Sequence, residues 1–294
     1  MPEIYRPSGR EFWELLRESF REWQKDRCLE LGAALAYYTL IPIAPLLLIT
    51  IAVAALFFGE QLASGELMTR IEEAAGAEAA GTIRDMVESA SQPRSGILAT
   101  TAGLVMTLFG ASSVFGQLQS SLNVIWEAPP RSAASWTSVL LARVSSFSMI
   151  LVIGFLMLVS LAVGSAIGVF SATLSSWVPG GDWLARIVDL AVSFATTTLL
   201  FAMMFRILPD IRIPWTDVWV GAAFTSLLFA LGRFGISFYL GYSSGSSVYG
   251  AASSVIVILL WIYYSSQLLF FGAEFTQVYA RRFGSLRTGS RAPL

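Results

Sequence analysis

VYGAASSVIVILLWIYYSSQLLFFGAEFTQVY, residues 248–279, is a long apolar stretch that contains a single charged residue, Glu274. About 20 apolar residues in a helix cross the hydrocarbon core of a bilayer, where only helices and closed barrels satisfy their backbone polar groups. The stretch is nearly continuous rather than alternating in polarity, which favours a helix over a barrel strand. It therefore predicts a transmembrane helix.

Five further segments have the same character, at about 32–58, 97–115, 137–170, 183–205 and 216–240. The composition agrees, because 55% of the 294 residues are apolar and 13% are charged, against roughly a quarter charged in a soluble domain. The predicted fold class is an all-α membrane protein. It is a bundle of six transmembrane helices with an N-terminal interfacial amphipathic helix and a helical outer loop.

Loop charges predict the orientation, because Lys and Arg near short loops remain on the cytoplasmic side of a membrane. The two ends of the chain are rich in bases, and the loops after the second and fourth segments carry Arg131, Arg206 and Arg212. Both termini are therefore predicted to be cytoplasmic, and the N-terminus is not expected to be a cleaved signal peptide. The predicted organisation is a cytoplasmic arm at 1–30, a transmembrane domain at 31–280 with its outer loop at 59–96, and a cytoplasmic tail at 281–294.

An amphipathic helix is predicted before the first span, because Phe12, Trp13, Leu16, Phe20 and Trp23 recur at helical spacing. Such a helix lies in the inner membrane interface or packs beneath the bundle. The sequence leaves both arrangements open.

Pro42 and Pro45 interrupt the first predicted span, just after Tyr37 and Tyr38. Proline removes a hydrogen-bond donor and clashes with the preceding turn, so the helix is expected to kink or break there. Broken helices form binding sites in many transporters, although a proline kink can also serve packing alone.

Three ionisable side chains fall within predicted spans, where a charge needs a partner or water. Asp189 and Arg233 are expected at similar depth and are predicted to form an ion pair. For Glu274 the candidate partners are Arg143 and Arg206. Each pairing could fix helix register or take part in binding.

A polar stripe continues the second helix, with Ser112, Gly116, Gln119 and Asn123 at helical spacing before Pro129 and Pro130 end it. Hydroxyl and amide groups on such a stripe can line a cavity, but they also join helices by hydrogen bonds. The joining role is the simpler interpretation.

Several kinds of chemistry are not expected from this composition. The chain has no histidine and a single cysteine, Cys28, which excludes an intrachain disulfide and a histidine-based catalytic or metal site. No Walker-type glycine loop occurs, so any energy would come from a gradient or another subunit. Acidic and basic residues nearly balance, at 20 and 19, so nucleic-acid binding is not expected. We expect no cofactor and no enzymatic activity.

Taken together, several stretches resemble the YihY/BrkB family of bacterial inner-membrane proteins, over roughly residues 10–284. They are residues 31–45, 109–113, 209–215 and 249–251, with Asn123, Trp126, Trp261, Tyr263 and Gly272 to Glu274. The resemblance implies six transmembrane helices with cytoplasmic termini in the inner membrane, and a role in moving envelope lipids or lipid-linked molecules. The old ribonuclease BN label of the family gains no support, because a metallonuclease needs His and Asp ligands.

The resulting hypothesis is a transporter or flippase-like protein for an anionic amphipathic substrate, a lipid or lipid-linked molecule. The alternative is a non-transporting membrane scaffold in envelope maintenance, and a small channel ranks third. Expected partners are membrane lipids, with a second copy of the chain or another envelope protein as further candidates. The candidate substrate-binding or cavity residues are Tyr37, Tyr38, Pro42, Pro45, Ser112, Gln119, Asn123, Asp189, Arg233 and Glu274.

Overall fold

A computed structural model describes residues 8–44, 47, 64–65, 67–69, 71–72, 77–91, 113–129, 182–243 and 253–286. All regular structure in these residues is helical, and they contain no strand. The all-α prediction is therefore confirmed for the described part of the chain. The helices are α1 (Gly9–Lys25), α2 (Cys28–Leu40), α3 (Ala77–Ser91), α4 (113–125), α5 (Asp182–Ile207), α6 (Trp215–Ser243) and α7 (Ser253–Arg282).

Three of these helices, α5, α6 and α7, are long and apolar enough to cross a membrane. Their bounds agree within a few residues with the predicted fourth, fifth and sixth spans. The third predicted span lies outside the described residues, as do most of the second and about half of the first. A bundle of six transmembrane helices therefore stays a prediction.

A sharp turn separates α1 from α2. The Ser8 hydroxyl accepts from the Glu11 backbone N–H while the Glu11 carboxylate accepts from the Ser8 N–H, which is a capping box that starts α1. Arg27 ends the turn in the left-handed region, at φ 54° and ψ 40°. The chain thereby changes direction before α2 enters the bundle.

The break predicted in the first span is present at Pro42. Helix α2 has only 13 residues and ends at Leu40, and Ile41 and Pro42 form a turn before helical residues resume at 43–44. Ile41 keeps helical dihedral angles, so the hydrogen-bond ladder is interrupted while the local backbone stays close to helical. Pro45 lies outside the described residues.

The interior of the bundle is an apolar core shared by α2, α4, α5, α6 and α7. Its fully buried members include Leu122, Phe205, Val218 and Phe270. Large apolar side chains such as Leu190, Leu227 and Leu231 point outward instead. An apolar exterior around an apolar core is typical of helices that lie in lipid.

The predicted helical outer loop contains α3, which packs on the bundle. Ile83 of α3 and Met68 form a buried cluster with Ala36, Ile258 and Ile262. The last two residues lie in the first half of α7, so this cluster is at the end of the bundle away from Arg282. Helix α1 and the end of α7 lie at the opposite end.

Helix α1 packs on the bundle and also exposes aromatic side chains. Its Leu15 is fully buried against Phe275, Val278 and Tyr279 of α7. In contrast, 68% of the surface of Trp13 is exposed, and Phe20 is exposed as well. One face of α1 therefore packs against the bundle, and a location of its other face in the membrane interface stays a prediction.

Candidate functional site

Glu274 is the central residue of the candidate site. It lies on α7 and is completely buried. The Cys28 thiol donates to Glu274 Oε1 over 3.7 Å, and Glu274 Oε2 has no hydrogen-bond partner among the described residues. A buried carboxyl group with so few donors is costly unless it is neutral or binds a cation.

The predicted pairing of Glu274 with Arg206 is wrong. The Arg206 guanidinium donates to the carbonyl of Ile213 and lies 5.9 Å from the centroid of the Trp215 ring. The Arg206 side chain is thus bound to the loop between α5 and α6, through the Ile213 carbonyl. Arg143 lies outside the described residues.

Asp26 is the acidic neighbour of Glu274, and the two carboxyl groups interact across the junction of α1 and α2. Burial raises the pKa of Asp26, the positive charge of Lys25 opposes this rise, and the negative charges of Glu22 and Glu127 add to it. The interaction with Glu274 itself lowers the pKa of Asp26, so burial is the main reason that this pKa lies above its ordinary value.

Gln267 extends the polar contacts from Glu274 along α7. It lies seven residues before Glu274, about 10 Å along the same helix face. Its amide nitrogen donates to the Cys28 carbonyl over 3.3 Å, while its Oε1 is buried without a hydrogen-bond partner among the described residues. A Cβ atom on Gly32 would lie 2.0 Å from Gln267 Nε2, so Gly32 makes room for the amide.

The contact face of α2 and α7 is here called the polar seam, defined by Cys28, Gly32, Gln267 and Glu274. It runs from the α1–α2 junction toward the middle of α7. Two of its oxygen atoms, Glu274 Oε2 and Gln267 Oε1, lack donors in the described structure. Such groups are expensive within an apolar bundle and mark a place where a proton, water or substrate group can bind.

Tyr37 and Tyr38 lie on α2, on the outer surface just before the proline interruption. Tyr37 is 60% exposed and Ile41 is 64% exposed, whereas Pro42 is buried. Because Pro42 has no N–H, it cannot donate to the Tyr38 carbonyl four residues earlier. The interruption thus combines exposed phenol groups with a backbone carbonyl that lacks its helical donor.

Two members of the polar stripe on α4 bind the loop between α5 and α6. The amide nitrogens of Gln119 and Asn123 donate to the two carboxylate oxygens of Asp210, over 3.1 and 2.7 Å. The Asp210 backbone N–H returns a hydrogen bond to Asn123 Oδ1 over 2.8 Å. The joining interpretation is supported for these two residues, and Ser112 lies outside the described residues.

The predicted ion pair of Asp189 and Arg233 stays a prediction. Their backbones belong to α5 and α6, but their side chains lie outside what the structure describes. Each residue is thus placed on its helix without an assigned partner.

Glu127 joins three parts of the chain near the termini. Its carboxylate accepts from Arg281 over 2.8 Å and lies 3.8 Å from the Lys25 ammonium. Hydrogen bonds from the N–H groups of Glu127 and Ala128 to the carbonyls of Val124 and Asn123 end α4, with Glu127 at φ 49°. The ends of α1, α4 and α7 therefore meet on one side of the bundle.

The sequence interpretation missed Asp26, Gln267 and Asp210 as site residues. A signal was available for Gln267, because it shares a helical face with Glu274 in an apolar span. Asp26 and Asp210 lie in turns, and no local pattern indicates which helix they meet.

The family model that describes virulence factor BrkB matches residues 19–293. Similar curated proteins are UPF0761 membrane proteins of Alcanivorax borkumensis (28% identity; 86% of this chain and 57% of that protein) and Chromobacterium violaceum (28%; 85% and 58%). Another, from Stenotrophomonas maltophilia, is 29% identical over 85% of this chain and 57% of its own length. The chain thus spans little more than half the length of these relatives. No solved structure matches it.

Proposed function

The chain belongs to the virulence factor BrkB family of membrane proteins, and from that premise we propose that it is a transporter or flippase-like protein for an anionic amphipathic substrate. The substrate is a lipid or lipid-linked molecule of the bacterial inner membrane, and both termini are cytoplasmic. The protein has no enzymatic activity in this proposal.

The observation that carries the proposal is the polar seam inside an apolar helix pair. Glu274 is fully buried and Gln267 has a buried oxygen without a donor, on a helix apolar enough to span a membrane. Unsatisfied polar groups within a span are rare and indicate a substrate or ion pathway. A structural role alone would be expected to give each oxygen a donor.

The interrupted helix supports movement of a substrate beside the seam. Helix α2 forms one side of the seam and loses its regular hydrogen bonding at Ile41 and Pro42. Discontinuous helices line the binding sites of many transporters. The exposed Tyr37 and Tyr38 rings place amphipathic groups at the same point, which suits a molecule with an apolar tail and a polar head.

The outward face of α1 supports the choice of an anionic substrate. Exposed Arg17 and Arg21 share that face with Trp13 and Phe20. The acids of the same helix are bound elsewhere, because Glu14 and Glu18 pair with Arg282 and Glu22 pairs with Lys25. Bases beside aromatic rings suit the phosphate groups of lipids at a membrane surface.

The test uses purified full-length protein in liposomes that contain a fluorescent phosphatidylglycerol analogue. A membrane-impermeant reductant bleaches outer-leaflet label, so bleaching of the inner-leaflet label reports transfer. The wild type is expected to accelerate transfer, and Gln267→Leu, which removes the polar centre of the seam, should slow it at least tenfold. Gln24→Leu, the same substitution on an exposed glutamine of α1, should leave the rate unchanged. Transfer by the wild type at the rate of protein-free vesicles would refute the proposal.

The scaffold alternative is tested on the exposed face of α3. Deletion of 59–96 would remove Ile83, uncover Ala36 and Ile258, and destabilise the fold under either hypothesis. Charge reversal of exposed Arg84 and Asp85 preserves that packing. A scaffold acting through this loop would lose function with the reversal, whereas a transporter would keep its transfer rate.

A further inference from the structure

We propose that Asp26 and Glu274 form a proton-binding site that holds one proton between two carboxyl groups. Loading and release of this proton, from the side of the bundle where α1 and the end of α7 lie, would couple transport to a proton gradient. The coupling rests on the proposed function, whereas proton binding can be tested without it.

The first argument is the hydrogen bonding of Glu274. The residue is completely buried, its Oε1 receives only a weak thiol donor, and its Oε2 receives none from the described residues. No ion pair with a base is present for Glu274 in the described part of the chain. An ionised carboxylate in these surroundings would cost several kcal/mol, so the neutral acid is the stable form.

The second argument is the position of Asp26. Asp26 is half-buried two residues before Cys28, whose thiol lies 3.7 Å from Glu274 Oε1, and the carboxyl groups of Asp26 and Glu274 interact electrostatically at this junction. Two carboxyl groups in such contact cannot readily both ionise, because the like charges repel, and a single shared proton supplies the missing donor. The unpartnered Glu274 Oε2 is what this arrangement requires.

The charges around the pair favour retention of the proton. Glu22 of α1 and Glu127 at the end of α4 add negative potential, and Cys28 of α2 contributes a thiol. The bases Lys25 and Arg281 bind Glu127, and Lys25 also donates to Glu22 over 2.6 Å. These bases contact the outer acids and not Glu274, for which the described residues provide no base, so a proton is left to neutralise it.

The pair also has an entrance and a continuation. Asp26 is partly exposed at the α1–α2 junction, so it can exchange protons with the aqueous side. Beyond Glu274 the polar seam continues to Gln267, whose free Oε1 can accept a hydrogen bond. A proton held at the pair therefore lies between water and the interrupted part of the bundle.

The test is infrared spectroscopy of the purified protein in lipid nanodiscs at neutral pH. A carbonyl band of a protonated carboxylic acid is expected for the wild type and should disappear in Glu274→Gln. Asp26→Asn should shift or remove it. The control Glu30→Gln removes an exposed carboxylate that accepts from Arg27 over 2.8 Å, and it should leave the band unchanged.

The outcomes separate the two proposals. Absence of the band from the wild type, or its persistence in both Glu274→Gln and Asp26→Asn, overturns the proton site. Loss of the wild-type band on addition of sodium or potassium at constant pH also overturns it, because the pair would then bind a cation. If the carboxylic acid band is present but the protein transfers no lipid, the proposed transport is refuted and the proton site stands. Lipid transfer that ignores an imposed pH gradient refutes only the coupling.

Discussion

Gly221 of α6 lies directly against Thr276 of α7, so that a Cβ atom on Gly221 would stand 1.7 Å from Thr276 Oγ1. The reverse contact repeats it, because a Cβ atom on Gly272 of α7 would lie 2.0 Å from Thr225 Oγ1 of α6. Each hydroxyl group donates to the carbonyl of the glycine one turn earlier on its own helix. The Thr225 hydroxyl donates to Gly221 over 2.7 Å, and the Thr276 hydroxyl donates to Gly272 over 2.6 Å. Two glycine–threonine pairs thus let α6 and α7 pack closely, and both threonine hydroxyl groups have a hydrogen-bond acceptor.

The close approach of α6 and α7 predicts that alanine is not tolerated at either glycine. Gly221→Ala and Gly272→Ala should each lower the free energy of unfolding by about 1–3 kcal/mol, because the added methyl group forces the helices apart. Thermal unfolding in detergent measures this. Gly81→Ala is the control, since a Cβ atom there meets nothing within 4 Å. Equal unfolding temperatures for the three variants would contradict the packing.

The clamp between α4 and the α5–α6 loop predicts a coupled loss of stability. Asn123→Ala removes two hydrogen bonds to Asp210 and should cost about 1–2 kcal/mol. Asp210→Ala should cost a similar amount, and the double variant should cost less than the sum. Unfolding of the two single variants and the double variant in detergent gives the coupling energy. Strict additivity would mean that the contact contributes nothing.

The pKa of Glu127 predicts a stability change in acid. The hydrogen bond from Arg281 lowers this pKa below its ordinary value of 4.5, burial opposes the shift, and Lys25 adds to it. A carboxyl group whose pKa is lower in the folded than in the unfolded protein stabilises the fold at pH values above its unfolded pKa. This contribution is lost as the pH falls through its folded pKa. The difference in unfolding temperature between wild type and Glu127→Gln should therefore be constant near neutral pH and shrink below about 4.5. A difference that stays constant in acid would disprove the role of this pair.

The burial of Cys28 predicts that its thiol reacts slowly with water-soluble reagents. Its side chain is fully buried beside Glu274, so a water-soluble maleimide should label the native protein at least tenfold more slowly than the unfolded protein. Gln24→Cys in a Cys28→Ser background places the same group on the exposed side of α1 and should react rapidly. Equal labelling rates for the two native proteins would show that the α1–α2 junction is open.

The sequence predicted the helices more completely than the site. Residues 216–240 and 248–279 were recognised as spans, and the break at Pro42 was placed correctly, because hydrophobicity and proline act through the local chain. Gln119 and Asn123 were recognised as a polar stripe. Their common partner Asp210 was not, because a loop carboxylate carries no periodicity that would indicate which helix it meets.

The amino-acid sequence by itself therefore determined the apolar helices and the ends at which the basic residues gather. Local burial preference and backbone hydrogen bonding decide both properties within a segment. Only the tertiary structure decided the surroundings of Glu274, for which the sequence suggested Arg143 or Arg206. The contact with Cys28 joins residues 246 positions apart, and it exists because Gly32 lets α2 lie close to α7. Among the described residues, packing between distant segments thus places this acid beside a thiol and a second carboxyl group.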